Sequence, residues 1–194
     1  MHSYLSNTHQ KPLYAGYRIF VAEVASTCNE ALLMQYLLKN TTDSKERAVL
    51  INHFLEQFKG TLYRQTMFAE FELEINERAA KGESLTASAL CDLYRKLNED
   101  YFGPDMEIDD NIALEWARIP HFYYDYYVYQ YATGFSAAIA LSDKILNEGE
   151  PAVRRYLNFL CSGCTKDPVS LLRDAGVDLS LIHISEPTRQ AEIS

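Results

Sequence analysis

Residues 19–39, I-F-V-A-E-V-A-S-T-C-N-E-A-L-L-M-Q-Y-L-L-K, form the strongest helical pattern in this sequence. The stretch is dense in apolar residues and alanine and contains neither glycine nor proline, so it predicts a long α-helix. Glu23, Ser26, Thr27 and Glu30 recur at spacings of three and four residues, which places two carboxylates and two hydroxyls on one helix face. The sequence therefore predicts a mainly apolar helix with one polar face.

Helical patterns continue on the C-terminal side of this stretch. They are bounded by capping residues, glycines and prolines, and they cover about 43–58, 61–81, 86–101, 132–148, 151–163 and 168–176. Gly60 is a candidate interruption. Residues 1–18 predict a loop after at most one helical turn, and residues 104–120 predict an acidic connection. Because no strand alternation of convincing length occurs, we predict an all-α fold.

Composition excludes several classes of partner. The 194 residues are 47% hydrophobic and 23% charged, which suits one globular domain or part of a larger one. A net charge of -9 without a run of Lys or Arg argues against nucleic acid and against anionic membranes as partners. There is no apolar run of about 18 residues and no secretory signal pattern, so we expect a cytoplasmic protein.

Four cysteines are too few for a disulfide scaffold in a chain of this length. Cys161 and Cys164 form a C-x-x-C, but no second pair and no suitably spaced histidine completes a zinc site. We therefore interpret them as two small residues near a helix end.

Glu23 and Glu30 are the only charged residues between Ile19 and Leu38. If their helix face is buried, each carboxylate needs a cation or hydrogen-bond donors. A solvated face, or pairing with Arg18 or Lys39, is one interpretation. Metal ligation is the other, and spacing alone leaves both open.

The segment H-F-Y-Y-D-Y-Y-V-Y-Q-Y, residues 121–131, is unusual in composition. Such rings usually pack in a core with the hydroxyl bonded to a carbonyl. Phenols and the imidazole of His121 also suit the stabilisation of a developing oxyanion. No H-E-x-x-H or E-x-x-H motif occurs in the sequence.

Three strings carry a family resemblance: Y-A-G-Y-R-I-F-V-A-E-V-A-S-T-C-N-E at 14–30, T-M-F-A-E-F-E at 66–72 and P-H-F-Y-Y-D-Y-Y-V-Y-Q-Y-A-T-G at 120–134. They are similar to oligoendopeptidase F, a relative of thimet oligopeptidase, and the resemblance covers residues 1 to about 180. It implies the helical C-terminal part of a zincin-type oligopeptidase catalytic domain. The implied activity is zinc-dependent hydrolysis of peptide bonds in short oligopeptides.

The resemblance also implies a metal site. In that family two histidines of an H-E-x-x-H helix and a glutamate on the next helix hold one Zn²⁺. Residues 1–4 resemble the sequence that directly follows the motif, and Glu23 matches the third ligand. Glu30 matches a second acidic position that orients the ligands. We therefore expect this chain to carry one ligand of three and to be inactive alone.

The resemblance implies that His121 and a following tyrosine stabilise the oxyanion or hold the peptide. The thimet branch has a Gly-Gly-Tyr loop here, and this chain has no glycine pair, so the register stays open. Tyr129 and Tyr131 are the best matches, and Tyr124 and Tyr127 are the reserves.

The C-terminal segment 181–194, L-I-H-I-S-E-P-T-R-Q-A-E-I-S, departs from the family and resembles translated sequencing-adaptor read-through. We therefore expect a partial catalytic domain at 1–180 followed by a non-native tail.

Two other classes remain as alternatives. A carboxylate-bridged di-metal bundle would use Glu23, Glu30, Glu70 and Glu72, although the absence of E-x-x-H pairs argues against it. A non-catalytic helical interaction module would treat the tyrosines as packing.

Overall fold

The computed structural model describes residues 1–179, and within them the fold is all-α without a β-strand, as the sequence predicts. The proposed tail at 181–194 lies outside the described residues. The α-helices are α1 (His2–His9), α2 (Ile19–Asn40), α3 (Ser44–Gln57), α4 (Arg64–Ala80), α5 (Ala87–Phe102), α6 (Tyr129–Glu148), α7 (Glu150–Cys161) and α8 (Pro168–Asp174). A π-helical segment spans Phe58–Tyr63, and 3₁₀ helices span Asp110–Arg118 and Pro120–Tyr123.

One local prediction needs correction. The N-terminal segment forms two turns of helix, α1, rather than one turn at most, because it packs against α7 and buries Ser6. Tertiary packing here outweighs a weak local helix pattern. Gly60 lies within the predicted interruption: α3 ends at Gln57, and the π-helical segment joins it to α4.

The described chain forms two compact units by its contacts. Unit 1 consists of residues 1–54 together with residues 133–179, and unit 2 consists of residues 55–132. None of the helices formed by residues 1–179 is long and apolar enough to cross a membrane.

The core of unit 1 is built around the apolar face of α2. Val21, Val24, Ala25 and Cys28 follow the three- and four-residue spacing of one helix face and are almost completely buried. They pack against buried residues of α6, α7 and α8, which are Ala137, Ala138, Leu141, Tyr156, Phe159, Leu160, Leu171 and Leu172. This packing fixes which face of α2 remains for polar side chains.

The segment after α1 is bonded to the end of α7. The N–H of Cys164 donates to the carbonyl oxygen of Tyr14 at 2.9 Å, and the side chain of Gln10 donates to the carbonyl oxygen of Cys161 at 2.8 Å. Gly163 lies between the two cysteines with φ +54°, and a Cβ there would stand 1.9 Å from the Tyr14 oxygen. Only glycine fits, and the C-x-x-C thus marks a structural turn with both thiols reduced.

Unit 2 is an aromatic core between α4 and α5. Its buried residues are Met67, Phe68, Phe71, Leu93, Tyr94, Leu97, Ile119 and Val128. The rings of Phe71 and Tyr94 meet edge to face with centroids 5.2 Å apart, an arrangement that favours the ring quadrupoles. This core supports the segment that carries His121 and the tyrosines.

Candidate active site

Glu23 lies on α2 at the border of its buried face. Its side chain is partly buried, and desolvation raises the pKa of its carboxyl group. Among the residues that the structure describes, no cation pairs with this carboxylate and no donor bonds to it. A carboxylate that burial penalises and that lacks a protein cation fits the role of a metal ligand.

Glu30 lies two turns further along α2 and is exposed. The interpretation of a solvated face therefore applies to Glu30 more than to Glu23. Within residues 1–179, no three His, Cys, Asp or Glu side chains are grouped so as to hold a metal ion. Glu23 thus fits a metal ion as a single contributing ligand.

His2 is a half-buried residue of unit 1 whose two ring nitrogens are buried. Its ring stacks on Tyr17 with centroids 3.8 Å apart, and neither ring nitrogen has a hydrogen-bond partner in the described part of the chain. Burial, with the neighbouring N-terminal charge, lowers the pKa of His2 to about 4, so the imidazole is neutral at pH 7. The sequence indicates only that His2 lies near the family motif.

His121 is the centre of the aromatic cluster in unit 2. Its ring lies 5.6 Å from Tyr127 in a stacked contact, and 6.4 Å from Tyr124 and 6.0 Å from Tyr131 in edge contacts. Tyr127 and Tyr131 also meet edge to face at 5.6 Å. The structure therefore brings together His121, one of the two best-matched tyrosines and both reserves.

Tyr131 is the residue of this cluster whose hydroxyl reaches the imidazole. Its Oη lies 3.5 Å from Nε2 of His121, at the outer limit of a hydrogen bond. Tyr129, the other best match, is the first residue of α6 and has half of its surface exposed. Because residues two apart on a helix point about 200° apart, the two tyrosines project in different directions.

The loop that carries the cluster contains two non-glycine residues in the left-handed region. Asp125 has φ 45° and Tyr126 has φ 55°. Non-glycine residues in this region raise the free energy of the folded backbone and persist only where their surroundings hold them in place. They concentrate at functional sites. Here the N–H of Tyr126 donates to Oε1 of Glu72 at 2.6 Å.

Glu72 is 1% exposed, and its second oxygen, Oε2, has no hydrogen-bond partner within residues 1–179. Desolvation raises the pKa of its carboxyl group, although the bond from Tyr126 acts in the opposite direction. From the sequence alone, Glu72 has a role only in the di-metal alternative. Its position on the stripe of Phe68, Phe71 and Ile75 indicates a buried acid.

Glu115 is a second buried acid in unit 2. Its Oε1 accepts hydrogen bonds from Arg64 and Arg118, and its Oε2 accepts one from Tyr94 at 2.8 Å. Burial alone would raise the pKa of Glu115. The hydrogen bond from Tyr94 and the two guanidinium groups outweigh it, so that pKa lies below its ordinary value.

A pocket of about 290 Å³ opens beside these groups within unit 2. Its lining residues are Arg64, Gln65, Phe68, Arg118, Ile119, Pro120, His121 and Tyr131. The two residues best suited to stabilise an oxyanion thus share one concave surface with two guanidinium groups. Such a surface can bind and orient an uncharged carbonyl or an anionic group.

Known proteins with similar sequences and folds are peptidases. Oligopeptidase PepF of Bacillus subtilis (strain 168) is 58% identical over 180 residues, which cover 93% of this chain and 27% of that protein. A plasmid-borne oligoendopeptidase F of Lactococcus lactis subsp. cremoris is 46% identical over 179 residues, or 92% of this chain and 30% of that protein. The crystal structure of oligoendopeptidase-F from Enterococcus faecium matches with a TM-score of 0.87 at 45% identity, over 98% of this chain and 35% of that chain.

The chain therefore spans about a third or less of the length of these relatives. The family model described as Peptidase family M3 matches residues 1–183 of the 194. A match over so much of the sequence, together with these relatives, shows that the chain belongs to peptidase family M3.

Proposed function

We propose that this chain is the part of a zinc-dependent oligopeptidase that provides one metal ligand and the groups that stabilise the transition state. The observation that carries the proposal is Glu23, a partly buried carboxylate on α2 with no cation partner in the described part of the chain. The relatives support it, because their names describe oligopeptidases and oligoendopeptidases. The proposed substrates are short peptides cleaved at internal bonds.

In this proposal Glu23 would hold zinc through a carboxylate oxygen, and Glu30, on the polar face of α2, would orient the neighbouring groups. When bound, zinc supplies Lewis-acid chemistry, which polarises a peptide carbonyl and lowers the pKa of water. The remaining ligands and the general base would come from an H-E-x-x-H helix, a motif that this sequence does not contain. We therefore propose that the chain alone is inactive.

His121 and Tyr131 act on the substrate carbonyl in this proposal. An imidazole N–H and a phenol O–H, held 3.5 Å apart at one pocket, can both donate to an oxygen that gains negative charge. Their rings are held by Tyr124 and Tyr127, and the loop is held by Glu72, so the donors are ordered before the substrate arrives. Hydrogen bonds fixed in this way are stronger in the transition state than in the ground state.

The alternative is a non-catalytic helical interaction module. It would use the same helices and would treat the aromatic cluster as packing alone. Left-handed Asp125 and Tyr126 argue for the peptidase, because packing alone does not require a strained backbone in the loop that follows His121. We further propose a cytoplasmic location, because four cysteines are too few for a disulfide scaffold in a chain of this length.

The proposal is tested with a chimera in which residues 1–179 replace the matching segment of the Bacillus subtilis relative. Because the two sequences are 58% identical over this segment, we expect the joined parts to pack together. The chimera should hydrolyse internally quenched peptides of about ten residues and should lose this activity when zinc is removed by a chelator. A folded, zinc-loaded chimera with no peptidase activity would favour the interaction module.

A further inference from the structure

The pocket beside His121 is lined by more positive charge than the neighbouring buried acid, Glu115, neutralises. Arg64 and Arg118 both bond to a single oxygen of Glu115, and the other oxygen of that carboxylate is occupied by Tyr94. Two guanidinium groups against one carboxylate leave an excess of one positive charge. This excess occurs in a chain whose net charge is -9, so it is a local feature rather than a consequence of composition.

The arginines are also held in place. The guanidinium of Arg64 lies 5.1 Å above the ring of Phe68, a cation–π contact that adds to its bond with Glu115. Arg118 is fixed at one nitrogen by Glu115, whereas 73% of its side chain is exposed. A guanidinium has five N–H donors in a rigid fork, so the exposed donors of Arg118 remain suited to a planar anion.

One guanidinium would be enough to neutralise Glu115, which is 7% exposed. A purely structural role therefore accounts for Arg64, whose side chain is the less exposed of the two, better than for Arg118. The rest of the lining consists of the apolar side chains of Phe68, Ile119 and Pro120, together with Gln65, His121 and Tyr131. A volume of about 290 Å³ suits one amino-acid residue that has an apolar body and a charged end.

We propose that this pocket binds a carboxylate of the peptide substrate, with Arg118 as the principal contact and Arg64 as the supporting one. The carboxylate belongs either to the C-terminus of the peptide or to an Asp or Glu side chain. Because His121 and Tyr131 line the same pocket, binding there would set the distance between the carboxylate and the bond that is cleaved. This inference rests on the proposed peptidase function and adds a preference among its substrates.

The experiment uses the chimera defined above and two matched pairs of quenched peptides. The first pair differs only in a free C-terminal carboxylate against a C-terminal amide. Both peptides of the second pair end in an amide, and one has Glu at the position where the other has Gln. The ratio of kcat/KM within each pair reports whether a carboxylate is recognised and from which source.

We expect the carboxylate to raise kcat/KM about tenfold in one of the two pairs, mainly through KM. Arg118→Gln should bring that ratio close to one, and Arg118→Lys should keep part of it because the charge is retained. Arg95→Gln is the matched control, since Arg95 pairs with Asp110 elsewhere in unit 2 and should leave the ratio unchanged. Raising the salt concentration should reduce the ratio in the native chimera.

A parallel measurement separates this inference from the proposed function. Fluorescence anisotropy of a labelled peptide acid and its amide, with zinc chelated, reports binding without hydrolysis. An acid preference that disappears in Arg118→Gln supports the pocket even if no peptide is cleaved. Hydrolysis with ratios near one in both pairs, or an acid preference that survives Arg118→Gln, would overturn the carboxylate assignment and leave the peptidase proposal standing.

Discussion

Tyr131 and Tyr129 are two residues apart in sequence, yet the structure gives their hydroxyls different surroundings. Only Tyr131 lines the pocket with His121. In the chimera, Tyr131→Phe should lower kcat by about 10² to 10³, the usual cost of removing one donor to an oxyanion. KM and zinc content should change little, because the interaction strengthens as charge develops on the carbonyl oxygen.

Tyr129→Phe is the matched comparison for that measurement and should retain most of the turnover. A large loss of kcat in Tyr129→Phe alone would move the assignment by two residues. Full turnover with a lower melting temperature in Tyr131→Phe would make its hydroxyl a structural contact. The composition of residues 121–131 could suggest this role but not the register, because three-dimensional packing around His121 selects among six tyrosines.

Glu72 should give the stability of the chain a distinctive pH dependence. Its folded pKa is raised by burial, so the folded state holds this proton more strongly than the unfolded state does. That stabilising contribution is complete below the ordinary glutamate pKa of about 4.3 and is lost as the pH rises through the folded pKa. The free energy of unfolding of the native chain should therefore fall, relative to that of Glu72→Gln, as the pH rises.

Urea unfolding between pH 4 and 8, followed by the fluorescence of Trp116, measures this difference. Glu72→Gln keeps an acceptor for the N–H of Tyr126, whereas Glu72→Ala removes it and should be less stable than Glu72→Gln by about 2 to 4 kcal/mol at every pH. A constant difference between the native chain and Glu72→Gln across the pH range would contradict the raised pKa.

At the level of elements, helix positions followed from apolar spacing and from capping residues. The pattern of α2 was visible because Val21, Val24, Ala25 and Cys28 lie on one face. The full length of α1 was not visible in the sequence, because its residues are mostly polar and its helix depends on contacts with α7. Long-range contacts of this kind leave no local periodicity in a sequence.

The junction between the Tyr14 segment and the end of α7 gives an element-level prediction. Gly163→Ala would place a Cβ 1.9 Å from the carbonyl oxygen of Tyr14 in a left-handed backbone. It should lose the Tyr14–Cys164 hydrogen bond as well as paying the backbone penalty, for a total of about 3 to 4 kcal/mol.

Gly149→Ala is the matched control, because Gly149 has φ +68° and nothing within 4 Å of the added Cβ. It should cost only the backbone term, about 1 to 2 kcal/mol. Urea unfolding followed by circular dichroism compares the two variants. Equal losses in both would show that the approach of Tyr14 to Gly163 is not a significant constraint.

For the whole molecule, the family could be predicted from three strings of sequence, and the comparisons confirm that prediction. The metal site could not be built from this chain, because its described residues contain no group of three possible ligands. The pocket lined by Arg64 and Arg118, both bonded to Glu115, was also not predicted, since these residues come from separate segments that meet only in the folded unit.

The same reasoning predicts a difference between the chain and the chimera. The isolated chain should bind zinc weakly and without fixed stoichiometry and should cleave no peptide, because Glu23 is its single candidate ligand. The chimera should bind one zinc tightly and should cleave peptides. Equilibrium dialysis against buffered zinc, with the quenched-peptide assay in parallel, gives the comparison, and one tightly bound zinc per isolated chain would contradict the assignment.

The most direct test of the account is the zinc content of the chimera and of two variants on α2. Inductively coupled plasma mass spectrometry after exhaustive dialysis should find about one zinc per native chimera. Glu23→Gln should retain a small fraction of it and lose activity in proportion, whereas Glu30→Gln should weaken zinc affinity by only about 10- to 100-fold. Full zinc occupancy with normal turnover in Glu23→Gln would contradict the claim that α2 contributes a metal ligand.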